Sequence, residues 1–125
     1  MKAEDIINRL NESKFNKNEY WVVAGAAMVL HGIKKETNDI DLGCTTAFAD
    51  YLETKYNPII FKDGTRNFQI GVDIEVFENW IADKIVLLSG IPTISINGLI
   101  EMKKTLGREK DLKDIEIIKQ HLKSI

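Results

Sequence analysis

The sequence predicts an α/β (α+β) domain in which a short mixed β-sheet is flanked by helices. An apolar segment of strand length, residues 20–24, and a second strand-like segment, residues 38–43, enclose a short run of helix-forming residues. Later in the chain, strand-like segments again alternate with amphipathic helical ones, which is the pattern of a sheet covered by helices. The length of 125 residues suits one hydrophobic core, so we expect residues 1–125 to form a single domain.

The first part of the chain supplies two helices and two strands. Apolar residues at helical spacing predict an amphipathic helix over residues 2–13. The apolar run 20–24 suits a buried strand. The good helix formers of 26–30 follow it, and Gly32 is placed to end that helix. Residues 38–43 predict the second strand.

The middle of the chain predicts one helix and two strands. Thr45 or Thr46 is expected to cap the helix, because a threonine hydroxyl can accept a hydrogen bond from a free amide of the first turn. Residues 59–62 and 67–77 have strand-like composition, and the Asp63–Gly64 pair between them suits a turn.

The end of the chain is expected to be mostly helical. Residues 79–88 are compatible with a helix, and residues 93–96 with a short strand. Ser95 or Asn97 is placed to cap the next helix, and a last helix begins near Asp111. The apolar stripe of that last helix is expected to belong to the core, and it consists of Leu112, Ile115, Ile118 and Leu122.

Composition and charge exclude several classes of protein. A hydrophobic content of 44% and a charged content of 29% are typical of a globular protein. The formal net charge of −2 argues against a general nucleic-acid-binding surface, although lysines late in the chain leave a local basic patch open. Cys44 is the only cysteine and no apolar run reaches membrane-spanning length. We therefore expect a cytoplasmic protein without disulfides or membrane contact.

Two carboxylates stand two residues apart in the second predicted strand. Side chains at this spacing point to the same face, so Asp39 and Asp41 form a pair aimed in one direction. Like charges held side by side repel each other unless a cation lies between them. Asp73, on a neighbouring predicted strand, is our candidate for a third carboxylate. Glu75 has the same face and surroundings, and the sequence alone does not fix which of the two is the ligand.

A turn upstream of these carboxylates suits phosphate binding. Ala24 and Gly25 open onto a short helix whose free N–H groups are able to hold a phosphate, which together with a metal site predicts chemistry on a nucleoside triphosphate. Two divalent cations roughly 3.5–4 Å apart need several carboxylate oxygens, and Mg²⁺ prefers such hard ligands. Asp39 and Asp41 would hold the metal that carries the triphosphate. Asp73 would help to hold the second metal and activate an acceptor hydroxyl.

The same segment resembles the signature of the nucleotidyltransferase superfamily that includes DNA polymerase beta. That signature is an apolar residue, Gly, then Gly or Ser, followed after a gap by Asp-apolar-Asp/Glu-apolar. The likeness is greatest to small bacterial members, the minimal nucleotidyltransferases, and covers most of the chain from Val22 onward. The matching residues are Leu30-His31-Gly32, Thr37, Asp39-Ile40-Asp41-Leu42, then Leu99, Ile100 and Lys103 of a helix, and Lys110, Asp111, Leu112 and Asp114.

The resemblance implies nucleotide contacts from Ala24, Gly25, Lys35, Thr37 and Lys103. Two of these residues depart from the family pattern. Ala24 stands where the first Gly is expected, which puts a methyl group where backbone should approach phosphate closely. Lys35 replaces an Arg that is common before the Thr, so the charge is kept and the bidentate fork is lost.

The resemblance also implies a function. It indicates a metal-dependent enzyme that moves a nucleoside monophosphate from a nucleoside triphosphate such as ATP to a hydroxyl acceptor and releases pyrophosphate. The acceptor stays open between a small molecule such as an aminoglycoside or lincosamide, a protein side chain and an RNA end. Members of this family also occur in toxin–antitoxin and phage-defence pairs, so the resemblance permits a toxin-like partner protein. A homodimer whose interface completes the site stays open as well.

Two other interpretations stay open. A module that keeps the fold without turnover, and binds a partner as an antitoxin does, is favoured by Ala24 in the turn. A protein that modifies nucleic acid would use the late lysines. His31 is expected to be structural, and Cys44 to be a small buried residue, because no motif activates its thiol.

Overall fold

The computed structural model describes residues 1–80 and 84–125. Its strands are β1 (Tyr20–Val23), β2 (Ile40–Cys44), β3 (Ile59–Ile60), β4 (Arg66–Ile70), β5 (Ile74–Glu78), β6 (Ile85–Leu88) and β7 (Ile91–Ile94). They form one sheet in the order β3-β4-β5-β2-β1-β7-β6. β1 is antiparallel to β2 and parallel to β7, and β2 is parallel to β5. The outer pairs are antiparallel. The sheet is therefore mixed, as the sequence predicted.

Five helices are described around this sheet: α1 (Ala3–Ser13), α2 (Ala24–Leu30), α3 (Thr46–Glu53), α4 (Ile96–Leu106) and α5 (Glu109–Lys123). The hydroxyl of Thr45 accepts a hydrogen bond from the amide of Phe48 at 3.2 Å. The hydroxyl of Ser95 accepts one from the amide of Gly98 at 3.0 Å. Thr45 and Ser95 are thus the caps of α3 and α4, which confirms one of the two alternatives in each case. None of the helices described here is long and apolar enough to cross a membrane.

One strand prediction and one helix prediction need correction. Residues 67–77 are not one strand, because β4 and β5 form a hairpin whose turn includes Gly71 at a φ of +62°. The helix considered for residues 79–88 is wrong for its second half, where β6 pairs with β7. The β-branched Ile85 and Val86 favour that strand. Residues 81–83 lie outside the described part of the chain.

The last helix buries only part of its apolar stripe. Ile115 and Ile118 are buried, whereas Leu112 is 54% exposed and Leu122 42% exposed. α5 packs mainly against α4 rather than into the sheet, so only the side that faces α4 is covered. The prediction of a four-residue core stripe is therefore wrong at its two ends.

Two residues set aside as structural are placed as expected. The Nε2 atom of His31 lies 2.8 Å from the carbonyl oxygen of Ile94, so the ring joins α2 to β7. Cys44 is buried on β2. Burial, followed by the charge of Glu78, raises the pKa of its thiol to about 12, which leaves no thiolate for catalysis at neutral pH.

Trp21 fixes the arrangement of the central strands. Its indole lies over Gly43 of the neighbouring strand, where a Cβ atom would come within 2.1 Å of the indole nitrogen. That nitrogen donates a hydrogen bond of 2.9 Å to the carbonyl oxygen of Trp80. The absence of a side chain at position 43 thus lets Trp21 hold the segment after β5 against β2.

Arg66 joins α3 to the β4–β5 hairpin. Its guanidinium donates hydrogen bonds to both carboxylate oxygens of Glu78, at 2.9 and 2.8 Å. The same group lies 2.9 Å from the carboxylate of Asp50 and 3.4 Å from that of Glu53. The hydrogen bonds from Arg66 hold the pKa of Glu78 below its ordinary value, so this buried carboxylate stays ionised.

We expect Arg66→Met to destabilise the fold by about 3 kcal/mol, because it leaves the buried Glu78 without its partner. Urea unfolding at pH 7 measures the change. Lys113→Met is the matched control, since the Lys113–Glu109 pair is exposed and its loss should cost less than about 0.5 kcal/mol. Equal effects of the two substitutions would contradict the structural role of Arg66.

The same pair predicts a pH dependence. A carboxyl group with a lowered pKa in the folded state stabilises the fold above its ordinary pKa, and this contribution is lost as the pH falls through the lowered value. The stability difference between wild type and Arg66→Met should therefore shrink from pH 7 to about pH 3. Urea unfolding at both pH values tests this, and a constant difference would contradict it.

Candidate active site

A polar cavity of about 540 Å³ lies beside the central strands, between the start of α2 and the α4–α5 pair. Its wall combines carboxylates, cationic side chains and a few apolar groups. The carboxylates are Asp39, Asp41, Glu75 and Asp114, and the cationic side chains are Lys34, Lys103, Arg108 and Lys110. Both signs of charge in one cavity suit a substrate with phosphates and a bound cation.

Three of the carboxylates come from the centre of the sheet. Asp41 on β2 stands directly opposite Glu75 on the parallel strand β5. Opposite residues of neighbouring strands are only about 4.8 Å apart. Asp39 lies just before β2 and is exposed. Burial first, and then the charges of Asp39 and Glu75, raises the pKa of Asp41 to about 6, so this position favours a nearby cation.

The structure brings Glu75, and not Asp73, together with Asp39 and Asp41. Asp73 precedes β5, and its carboxylate is held by the guanidinium of Arg9 in α1, at 2.8 and 3.3 Å. Asp73 is absent from the residues that line the cavity. The reserve candidate Glu75 is therefore the carboxylate that lies beside the pair, because β5 begins one residue after Asp73.

The turn at Ala24 and Gly25, for which phosphate binding is predicted, lines the cavity. Ala24 has a φ of +57°, the left-handed region that glycine tolerates and alanine adopts at a cost. This explains why a glycine is expected at the position. A Cβ atom at Gly25 would lie 3.0 Å from the hydroxyl oxygen of Thr37. Thr37 thus packs behind Gly25 and does not line the cavity itself.

The predicted basic contacts are only partly placed at the cavity. Lys103 lines it but is buried, and its ammonium lies 2.9 Å from the carboxylate of Asp114 and 3.7 Å from that of Asp111. Lys35 is exposed and does not line the cavity. Lys34 lines it instead and lies 3.0 Å from Asp114.

Sequence reasoning did not assign Lys34, Arg108 or Lys110 to the nucleotide. The available signal was the cluster of charge after α4, which includes Arg108 and Lys110. Nothing in the local pattern distinguishes Lys34 from the neighbouring Lys35, because the connection between α2 and β2 has no helical or strand periodicity there.

The donor set agrees with Mg²⁺ in kind. Carboxylate oxygens are the hard ligands that a small divalent cation prefers. The site disfavours the ionised form of Asp41 in the absence of a cation, and Asp39 is exposed and accessible to one. In residues 1–80 and 84–125, however, no group of three or more acidic, histidine or cysteine side chains is spaced to hold a metal ion. The carboxylates therefore suit Mg²⁺ by their chemistry and by their position in one cavity, and their spacing is not that of a preformed metal site.

Comparison with known proteins supports the fold. No family model and no curated protein matches the sequence. The 1.87 Å crystal structure of a putative nucleotidyltransferase from Thermotoga maritima superposes with a TM-score of 0.65. It is 16% identical in sequence, and the match covers 100% of this chain and 97% of that one. The chain therefore has a nucleotidyltransferase-like fold.

We expect Ala24→Gly to stabilise the protein by about 0.5 kcal/mol, because relief of the left-handed alanine outweighs the larger entropy of glycine in the unfolded chain. Thermal unfolding measures the change. Ala49→Gly, a buried residue inside α3, is the control and should destabilise by at least about 1 kcal/mol. Destabilisation by both substitutions would contradict the strain assigned to Ala24.

Proposed function

We propose that the protein is a metal-dependent nucleotidyltransferase that moves a nucleoside monophosphate from a nucleoside triphosphate to a hydroxyl acceptor. The observation that supports this most is the convergence of Asp39, Asp41 and Glu75 on one cavity that also contains cationic side chains. Carboxylates from two adjacent parallel strands and cations from separate helices are the groups that such a transfer requires.

The triphosphate is assigned to the part of the cavity next to Ala24 and Gly25. Lys34, Lys103 and Lys110 line the same cavity and neutralise negative charge there. The positive charges of Lys103 and Lys110 also act on Asp41. They lower its pKa and thereby oppose part of the increase that burial causes. These cations therefore act on phosphate and on the carboxylates at once.

The chemical step uses Glu75 as the base. The acceptor oxygen attacks the α-phosphorus, its proton passes to the Glu75 carboxylate, and the bond from the α-phosphorus to the bridging oxygen breaks to release pyrophosphate. Asp39 and Asp41 would hold Mg²⁺, which when bound neutralises charge on the phosphates and on the leaving group. Glu75 stands opposite Asp41, so the base and the metal-binding pair lie on neighbouring strands.

A second candidate is a binding module without turnover. Ala24 keeps a methyl group at the turn, and the ammonium groups of Lys34 and Lys103 are both paired with Asp114. A site with strained backbone and occupied cations would bind a triphosphate weakly. This alternative predicts a protein partner in place of a nucleotide.

Replacement of Asp39 and Asp41 by asparagine should weaken Mg²⁺-dependent ATP binding at least about tenfold, because the site loses both ligand charges. Isothermal titration with ATP, with and without Mg²⁺, measures this for the wild type and the double variant. The binding-module alternative predicts weak binding that is the same in both proteins and does not depend on Mg²⁺.

Glu75→Gln should reduce nucleotidyl transfer at least about a hundredfold, because it removes the proposed base. Asp73→Asn is the matched control. It breaks the pair with Arg9 outside the cavity, so it should alter the melting temperature and leave transfer within about threefold. Transfer is followed with α-³²P-labelled nucleoside triphosphates and a panel of hydroxyl acceptors. The assignment of Glu75 fails if Asp73→Asn is the more damaging change.

A further inference from the structure

Three aromatic side chains form a row that starts at the candidate active site. The ring of Phe77 lies 4.4 Å from that of Trp80 and 6.4 Å from that of Phe61, measured between centroids. Phe77 and Trp80 also line the cavity with the carboxylates. The row therefore continues from that cavity across β5 towards the β3–β4 edge of the sheet.

A second cavity of about 330 Å³ follows this row, and we name it the aromatic cleft. Its wall contains Phe61, Phe77 and Trp80 together with the carboxylates Asp63 and Glu78. Among the residues that the structure describes, no lysine or arginine lines the cleft. Its volume suits a small molecule better than a protein or polynucleotide segment.

The charge of the aromatic cleft is negative. Hydrogen bonds from Thr65 hold the pKa of Asp63 below its ordinary value, so this carboxylate is ionised at neutral pH. Arg66 stands behind Glu78, but its charge is already shared with the carboxylates of Asp50 and Glu53. Aromatic faces next to carboxylates attract an organic cation and repel a phosphodiester.

The cleft is also placed for an acceptor. Phe77 follows Glu75 by two residues on β5, so both side chains point to the same face of the sheet, about 7 Å apart along the strand. A molecule that lies on Phe77 and Trp80 thus brings a hydroxyl group within reach of the Glu75 carboxylate. The lysines assigned to the triphosphate line the first cavity and do not line the aromatic cleft.

We propose that the aromatic cleft binds the hydroxyl acceptor, and that this acceptor is a small organic molecule with an ammonium group. The assignment deepens the proposed function and rests on it. A third cavity with aromatic residues in its wall does not share this chemistry. It is lined by Phe15, Phe48 and Tyr51, and its charged residues are Lys14, Lys55 and Glu19, so cationic side chains predominate and disfavour a cation.

Choline and 3,3-dimethylbutan-1-ol test the assignment. The two alcohols have the same shape, and only choline is charged. Titration followed by tryptophan emission should show choline binding roughly five- to thirtyfold more tightly, since Trp80 lines the cleft and a cation over aromatic rings is favoured by that much. Equal affinity of the two alcohols overturns the proposal.

Three variants locate the site. Phe77→Leu should abolish the preference for choline, because it removes the central ring of the row. Asp63→Asn should reduce the preference about threefold, since an exposed charge contributes modestly. Tyr51→Leu is the control, because it removes an exposed aromatic ring from the third cavity and should leave choline binding unchanged. A preference that survives Phe77→Leu, or disappears in Tyr51→Leu, overturns the assignment.

The choline measurement needs neither nucleotide nor metal, so it separates this proposal from the proposed function. Titration of the same preparations with ATP and Mg²⁺ supplies the comparison. Intact ATP binding without a choline preference refutes the acceptor class alone. A choline preference without any ATP binding refutes the transfer function and, with it, the role of the cleft as an acceptor site.

Discussion

The parallel pairing of β2 with β5 is the constraint on which the candidate site depends. It places Asp41 opposite Glu75, where two carboxylates repel each other. A shift of this pairing by one residue would point the side chain of Glu75 into the core. Asp41 would then no longer stand opposite a carboxylate of the neighbouring strand. The register is held by the buried aliphatic faces of both strands and by the hydrogen bond from the Ile40 amide to the Asp73 carbonyl oxygen, at 2.7 Å. The core thus offsets a repulsion that a bound cation would relieve.

A second constraint comes from buried charges between α4 and α5. The Asp111 side chain is fully buried and lies within 3.7 Å of the Lys103 ammonium, which also contacts Asp114. Removal of one partner from such a cluster leaves an uncompensated buried charge, so the helices are held in one arrangement beside the cavity. Asp114 also contacts Lys34. The acids that position these lysines are therefore the groups with which phosphate would compete.

Local patterns in the sequence were enough for the sheet class, for the caps at Thr45 and Ser95, and for the pair Asp39 and Asp41, because each depends on residues a few positions apart. The third carboxylate was different. Whether Asp73 or Glu75 faces the cavity depends on where β5 begins. It also depends on the ion pair between Asp73 and Arg9 of α1, two residues that are 64 positions apart in the sequence. The same limit applies to the strand β6, which pairs with its neighbour β7 although its segment also fits a helical pattern.

The two proposed substrates are assigned to two neighbouring cavities that share Phe77 and Trp80. Lys103 comes from α4, which follows β7 in the sequence, and Lys110 comes from α5. The aromatic cleft lies where β5 meets β4 and β3. Displacement at phosphorus requires the attacking and leaving oxygens to be roughly in line, on opposite sides of the phosphorus atom. The proposed reaction therefore requires the acceptor on the aromatic rings and the triphosphate at the lysines to meet at the phosphorus from opposite sides.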